Sequence, residues 1–242
     1  MRLICKVEDL GIFIDRTGIE PGCFADTGFL YAISYDDDQF HQRANQVHDL
    51  VADKKMSIFA NVISRMEFVD LIFRKQVTSG AIQLFGELDS SLSSSKIFKL
   101  LKKIRDDQTA AVREDKSFKV GERQLKDLRS YISETDSIKD WKSFCERFVG
   151  QLLSSEWALL ENDFGLNFVE VMEGKPSGLF NSDLKWSDMV ALMGINGMRG
   201  PDAMILNLFA KSKFPLLITA DSDFEDCLPD ELKQTEKAIY LL

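Results

Sequence analysis

Four acidic residues, Asp26, Glu67, Asp202 and Asp221, stand where the chain could bring them to one site. Mg²⁺ and Mn²⁺ are hard cations that take oxygen ligands in octahedral geometry, so a group of carboxylates is a natural ligand set for them. Without a cation the same carboxylates would repel one another, and some would take up protons. A bound divalent ion removes that penalty, lowers the pKa of a water, polarises a phosphoryl group and stabilises a leaving 3′-oxygen. The chemistry to expect is metal-assisted hydrolysis of a phosphodiester.

The elements that must position these acids are short. Cys23-Phe24-Ala25-Asp26 follows the turn signal Pro21-Gly22 and reads as a buried strand ending in a carboxylate. Ser57-Ile58-Phe59-Ala60 is a second strand, and Asn61 can cap the helix that follows. That helix has apolar residues at Ile63, Met66, Val69, Leu71, Ile72 and Phe73, and it carries Glu67. Pro215 to Thr219 is a third strand, ending two residues before Asp221, and Ala238 to Leu242 is the last. Asp202 lies in the first turn of a helix opened by Gly200-Pro201, where proline fits. A further helix over Gln39 to Ala52 has Phe40, Ala44, Val47, Leu50 and Val51 at helical spacing, with Asp36-Asp37-Asp38 expected to cap its start. Short apolar strands alternating with helices predict an α/β fold, a three-layer arrangement around a central, mostly parallel sheet. Ligands of such sheets gather at the carboxyl ends of the strands.

From Gly80 to about Asn181 the texture differs. Asp89 to Ser95 is Ser-rich and reads as a linker. Charged helical stretches follow at Lys96 to Arg105, Glu122 to Ser133, Asp140 to Leu153 and Ser155 to Phe164, and no strand is expected among them. The predicted organisation is one domain over residues 1–242, interrupted by a helical insertion at 81–184.

A 242-residue chain that is 45% hydrophobic and 29% charged has the composition of a globular domain. No apolar run approaches the roughly 20 residues of a membrane span. The N-terminus is too charged for a signal peptide, so a cytoplasmic location with no membrane association is expected. The net charge of −9 argues against broad affinity for nucleic acid, which needs clustered Lys and Arg. It leaves a nucleic-acid enzyme open, because part of the acid excess would be the metal cluster. Cys5, Cys23, Cys145 and Cys227 form no C-x-x-C pair, so neither a disulfide nor a structural zinc is expected.

The acids also sit in motifs that resemble those of the PIN-domain ribonucleases (VapC-like nucleases). Phe24-Ala25-Asp26-Thr27-Gly28-Phe29-Leu30 is similar to the opening strand and helix of that family. Ser64-Arg65-Met66-Glu67-Phe68 resembles its second acidic helix, and Gly200-Pro201-Asp202-Ala203 its Asp-Ala helix start. Ile218-Thr219-Ala220-Asp221-Ser222-Asp223-Phe224 resembles the Thr-x-Asp-x-Asp-Phe ending, the most specific of the four. The resemblance spans about residues 20 to 80 and 185 to 242, with the motifs in family order. It implies a PIN-like fold and a metal-dependent endoribonuclease acting on RNA, with Asp26, Glu67, Asp202 and Asp221 as both catalytic residues and ligands of Mg²⁺ or Mn²⁺. Asp223 would be a supporting acid, while the hydroxyls of Thr27 and Thr219 brace the others. Toxin–antitoxin members of the family would further imply an antitoxin-like protein partner and a homodimer. The long segment between the motifs departs from those small toxins and leaves an RNA-processing role open.

Taken singly, each acid has an ordinary explanation: a turn residue, a solvated helix face, or a first-turn carboxylate complementing the helix dipole. Asp70, one turn after Glu67, rivals it as a ligand. Arg199, just before the Asp202 motif, is a candidate phosphate contact. Lys96, Lys99, Lys102, Lys103 and Arg105 form the clearest basic cluster, which reads as a phosphate contact or as a solvated helix face. Trp141, Trp157 and Trp186 read as insertion core, and His41 and His48 as partly exposed helix residues. Asp26-Thr27-Gly28 matches the aspartic-protease triplet, but that chemistry needs two aspartates sharing a proton, and the chain has one copy. A non-enzymatic alternative is a PIN-like module that binds RNA or protein without cleaving it.

Overall fold

The computed structural model describes residues 2–88, 93–114, 116–135, 138–170, 178–226 and 235–242. Much of the Ser-rich segment and Cys227 lie outside these residues. In chain order the elements begin with β1 (Arg2–Ile4), α1 (Val7–Thr17), β2 (Cys23–Ala25), α2 (Thr27–Ser34), α3 (His41–Asp53), β3 (Ile58–Asn61) and α4 (Val62–Glu87). Then come α5 (Lys96–Arg113), α6 (Glu122–Tyr131), α7 (Trp141–Phe148), α8 (Gly150–Asp163) and β4 (Asn167–Val169). The chain closes with α9 (Trp186–Asn196), α10 (Gly200–Lys211), β5 (Leu216–Thr219), α11 (Asp223–Asp226) and β6 (Ala238–Leu241).

Among the described residues, six strands form one sheet in the order β1-β6-β5-β2-β3-β4, every neighbouring pair parallel. Parallel neighbours require crossovers, which the helices supply. Every residue of β2 and β5 is buried, which requires cover on both faces of the sheet. The apolar runs Cys-Phe-Ala and Leu-Leu-Ile-Thr make these the central pair, in register from Cys23↔Leu216 to Ala25↔Ile218. Their core joins Phe24, Phe214 and Leu217 to Ala203, Leu206 and Phe209 of α10.

The four strands expected from apolar runs are present within a residue or two. Two others were missed. β1 lies at an edge of the sheet beside β6. β4 lies inside the segment expected to be free of strands and pairs with β3 from Phe59↔Asn167 to Asn61↔Val169. Both are three residues long, too short for a period to register, and it is their partners that make them strands. The predicted helix at Asp140 to Leu153 breaks at Val149, where α7 ends and α8 begins.

The chain divides into two compact units. The first comprises 1–36, 40–68 and 161–242 and contains the sheet; the second comprises 69–160 with 37–39. The second unit is helical and has its own core, in which Val77, Leu84, Leu101, Ile104, Leu128 and Phe144 are buried. α4 runs straight through Gly80, where an added Cβ would lie 2.6 Å from that of Phe148, so the glycine permits close packing against α7. Trp141 joins this core, stacked on Phe144 with centroids 5.3 Å apart. Trp186, by contrast, lies on α9 of the first unit and is 53% exposed, because its face of that helix is turned away from the core. The Asp36–Asp38 run does not cap α3, whose N-cap is Phe40. Asp37 instead pairs with Lys75 within the second unit.

A half-buried lysine secures the end of α10. Lys237 Nζ donates to the carbonyls of Phe209 (2.7 Å), Ser212 (2.7 Å) and Phe214 (2.9 Å). It satisfies carbonyls at a helix C-terminus, where a cation is also favoured by the dipole. Burial pulls its pKa down to about 8.

Candidate carboxylate site

Asp26 is the hub. It ends β2, its N–H donates to Ile218 O at 2.9 Å in continuation of the β2–β5 ladder, and its side chain is buried. Oδ1 accepts the N–H of Thr27 at 2.6 Å and so caps α2; Oδ2 accepts the hydroxyl of Thr219 at 2.8 Å. Each carboxylate oxygen can accept more than one contact, so both retain capacity for a ligand. α2 begins immediately after Asp26 and its first turn lies against the chain leaving β5. A Cβ at Gly28 would be 2.9 Å from Ala220 Cβ, so a small residue is required on each side.

Glu67 reaches the same place from α4. Its Oε2 accepts the Thr27 hydroxyl at 2.9 Å. α4 is anchored by Asn61, whose Oδ1 accepts from the N–H groups of Ile63 (2.7 Å) and Ser64 (2.9 Å), the cap expected from sequence. Asp70, the rival to Glu67, is taken by Arg74 Nε at 2.6 Å. Asp221 follows β5; its N–H donates to Thr219 Oγ1 at 3.0 Å, and its Oδ1 accepts the N–H of Asp223 at 2.8 Å. Thr219 thus braces Asp26 and Asp221 together. Asp202 is in the first turn of α10, with Pro201 beside it and Arg199 as N-cap.

The charges of Glu67 and Asp221 act on Asp26, and those of Asp221, Asp26 and Glu67 act on Asp202. The Asp26 carboxyl is pushed up to about 6, chiefly by burial and further by the charges of Glu67 and Asp221, against the lowering bonds from Thr219 and Thr27. Asp202 is pushed up to about 7 by burial, then by Asp221, Asp26 and Glu67, with Arg199 opposing. Such mutual repulsion is what a cation would relieve. Carboxylate oxygens of Asp202, Asp221 and Asp223 all lie within 4.8 Å of one another, so the tightest grouping includes Asp223, expected only as a support. The donor set is all oxygen and mostly anionic, which fits a hard divalent cation such as Mg²⁺ or Mn²⁺.

Sequence reasoning missed one residue here. Ser64 is fully buried, and its carbonyl accepts from Thr27 Oγ1 at 3.4 Å. Ser64 Oγ and Asn61 Nδ2 are buried without a hydrogen-bond partner among the described residues. The spacing of Ser64 to Glu67, one helical turn, was the available signal.

His41 and His48 stand apart from these acids: His41 Nδ1 contacts Ala32 O at 2.8 Å, and His48 packs edge-on against Phe164. Cys23 is buried in β2, and burial pushes its thiol up to about 12, which leaves it unreactive. A cavity of about 510 Å³ touches Glu20, Pro215 and Lys237, which precede β2, β5 and β6, so it lies at the opposite edge of the sheet from the acids. No helix among the described residues is long and apolar enough to cross a membrane. Comparisons with protein-family models, with curated proteins and with solved structures find no match to this chain.

Proposed function

We propose that this chain is a PIN-type, metal-dependent endoribonuclease, with the PIN-like unit formed by the sheet and the helices around it. The observation that carries the reading is the meeting of Asp26, Glu67, Asp202 and Asp221 at the carboxyl ends of β2 and β5, each on a different element. Single acids have ordinary explanations, but a group of acids that holds the carboxyls of Asp26 and Asp202 well above the usual range is costly to a fold and is kept where a site needs it.

Asp26, Glu67, Asp202 and Asp221 would hold Mg²⁺ or Mn²⁺, with Asp223 close to the same ligand set. When bound, the ion supplies an activated water at neutral pH and charge stabilisation for the phosphoryl group and the leaving 3′-oxygen. The protein's own part is positioning. Thr219 sets the spacing of Asp26 and Asp221 through its hydroxyl, and Thr27 links Asp26 to Glu67 through its N–H and Oγ1. Arg199, exposed at the start of α10, would hold a phosphate next to the scissile one. Cleavage by this route leaves a 5′-phosphate and a 3′-hydroxyl and needs no covalent enzyme intermediate.

The test is cleavage of a mixed-sequence RNA with Mg²⁺ or Mn²⁺ by wild type, Asp26→Asn and Asp221→Asn. Each variant should remain folded by circular dichroism and lose at least about a hundredfold in rate, the scale of removing an electrostatic contributor to catalysis. Undiminished cleavage in both variants refutes the site. Wild type that binds RNA but never cleaves it points to a binding module instead.

A further inference from the structure

We propose that the exposed lysine face of α5, formed by Lys96, Lys99, Lys102 and Lys103, is a second site that binds the phosphodiester backbone of single-stranded nucleic acid. The argument starts with where the charge lies. The sheet-containing unit has 14 basic and 23 acidic residues, while the helical unit has 16 of each. The whole net charge of −9 therefore belongs to the unit that carries the acidic site, and that unit repels a polyanion. Capture of nucleic acid must rely on cations placed locally.

α5 places them on one side. Ile97, Leu101 and Ile104 are its buried face, and the four lysines, all exposed, lie on the other. Acids do occur at the spacing that would neutralise them, since Asp106 and Asp107 follow Lys102 and Lys103 by four residues. Both are otherwise engaged. Asp106 accepts from Arg105 at 2.6 and 3.0 Å, and Asp107 accepts from Gln124 at 3.2 Å. Lys99, Lys102 and Lys103 consequently have no ion pair among the described residues. Lys96 and Lys99 moreover occupy the first turn of α5, where cations oppose the helix dipole and acids would be preferred. Lys96 Nζ lies over the Tyr131 ring, 5.2 Å from its centroid, a contact that offsets the cost there; Lys99 weakens the helix, and folding does not explain its placement. No large apolar side chain is exposed among these lysines, as a membrane-inserting face would need; the nearest on α5, Val112, is more than two turns away. A flexible anionic backbone fits the row of ammonium groups at Lys99, Lys102 and Lys103, which have no ion pair among the described residues, with Lys96 at its end.

The test uses the full chain in EDTA, so that cleavage plays no part, with a labelled, unstructured 20-nucleotide RNA followed by fluorescence anisotropy across a salt series. In Lys99→Gln/Lys102→Gln/Lys103→Gln, the slope of log affinity against log salt should fall by about 2, the loss of three phosphate contacts on a single strand. Affinity near 0.1 M salt should weaken by roughly tenfold or more. The matched control is Lys54→Gln/Lys116→Gln/Lys142→Gln, in which each lysine is already paired, with Asp15, Glu114 and Glu146. It makes the same change in net charge and should leave the slope unaltered. An unchanged slope in the first variant overturns the proposal, as does an equal change in the control. So does wild type that binds phosphatidylserine vesicles but not RNA. The outcome is independent of whether the carboxylate site cleaves.

Discussion

Replacing Asp26 by asparagine should abolish cleavage and, in the absence of metal, make the protein more stable. Asp26 is almost wholly buried and its carboxyl is held at about 6, against about 3.9 for a free aspartate. Ionising it in the folded protein therefore costs about 3 kcal/mol at pH 8. Asparagine removes that cost. It keeps an oxygen for the Thr27 N–H but gives up the second acceptor, now bonded by the Thr219 hydroxyl, a loss of about 1 kcal/mol. The net gain is about 2 kcal/mol, or an increase in Tm of about 4–8 °C for a protein of this size. Because the folded carboxyl has the higher pKa, the folded wild type keeps a proton that the unfolded chain has released between about pH 4 and 6. The wild-type penalty is thus complete above about pH 7, and shrinks to about 0.5 kcal/mol at pH 4, where the advantage of the variant should vanish or reverse. Thermal unfolding in EDTA at pH 8 and pH 4 reads both ends. Added Mn²⁺ should stabilise wild type at pH 8 and leave Asp26→Asn nearly unmoved, since only a ligand that binds the folded state raises Tm. A variant less stable than wild type at pH 8 in EDTA would refute the account of Asp26 as a strained, like-charged carboxylate.

Two further outcomes follow from the same physics. With Asp202 at about 7 and Asp26 at about 6, protons compete with the cation. Apparent Mn²⁺ affinity, measured by titration calorimetry, should rise about tenfold per pH unit from pH 6 to 7 and level off above 7; a flat profile from 6 to 8 contradicts the coupling. Lys237→Met keeps the apolar stem but leaves the carbonyls of Phe209, Ser212 and Phe214 without their shared donor. Urea unfolding should show a loss of about 2–3 kcal/mol, and a loss below about 0.5 kcal/mol would show that Lys237 is not what holds the end of α10.

The central strands and the acids at their ends were legible in the sequence because their signals are local. An apolar run such as Leu216–Thr219, too short for a helix, reads as a central strand buried on both faces, and Asp26 follows one directly. Pro201 and Asn61 likewise announce helix starts through chemistry confined to one turn. Tertiary structure alone decided the rest. β1 and β4 are strands because β6 and β3 offer them backbone partners, a property of the neighbours and not of three residues. The Asp36–Asp38 run has the composition of a cap, yet Asp37 pairs with Lys75, 38 residues away. The Thr27 hydroxyl engages Glu67 while Arg74 engages Asp70, and Asp223 joins the tightest acid group through the turn in which its N–H donates to Asp221. Local sequence sets which groups a segment presents. Which of them share an electrostatic field depends on through-space distances of a few ångströms, and only the folded chain sets those.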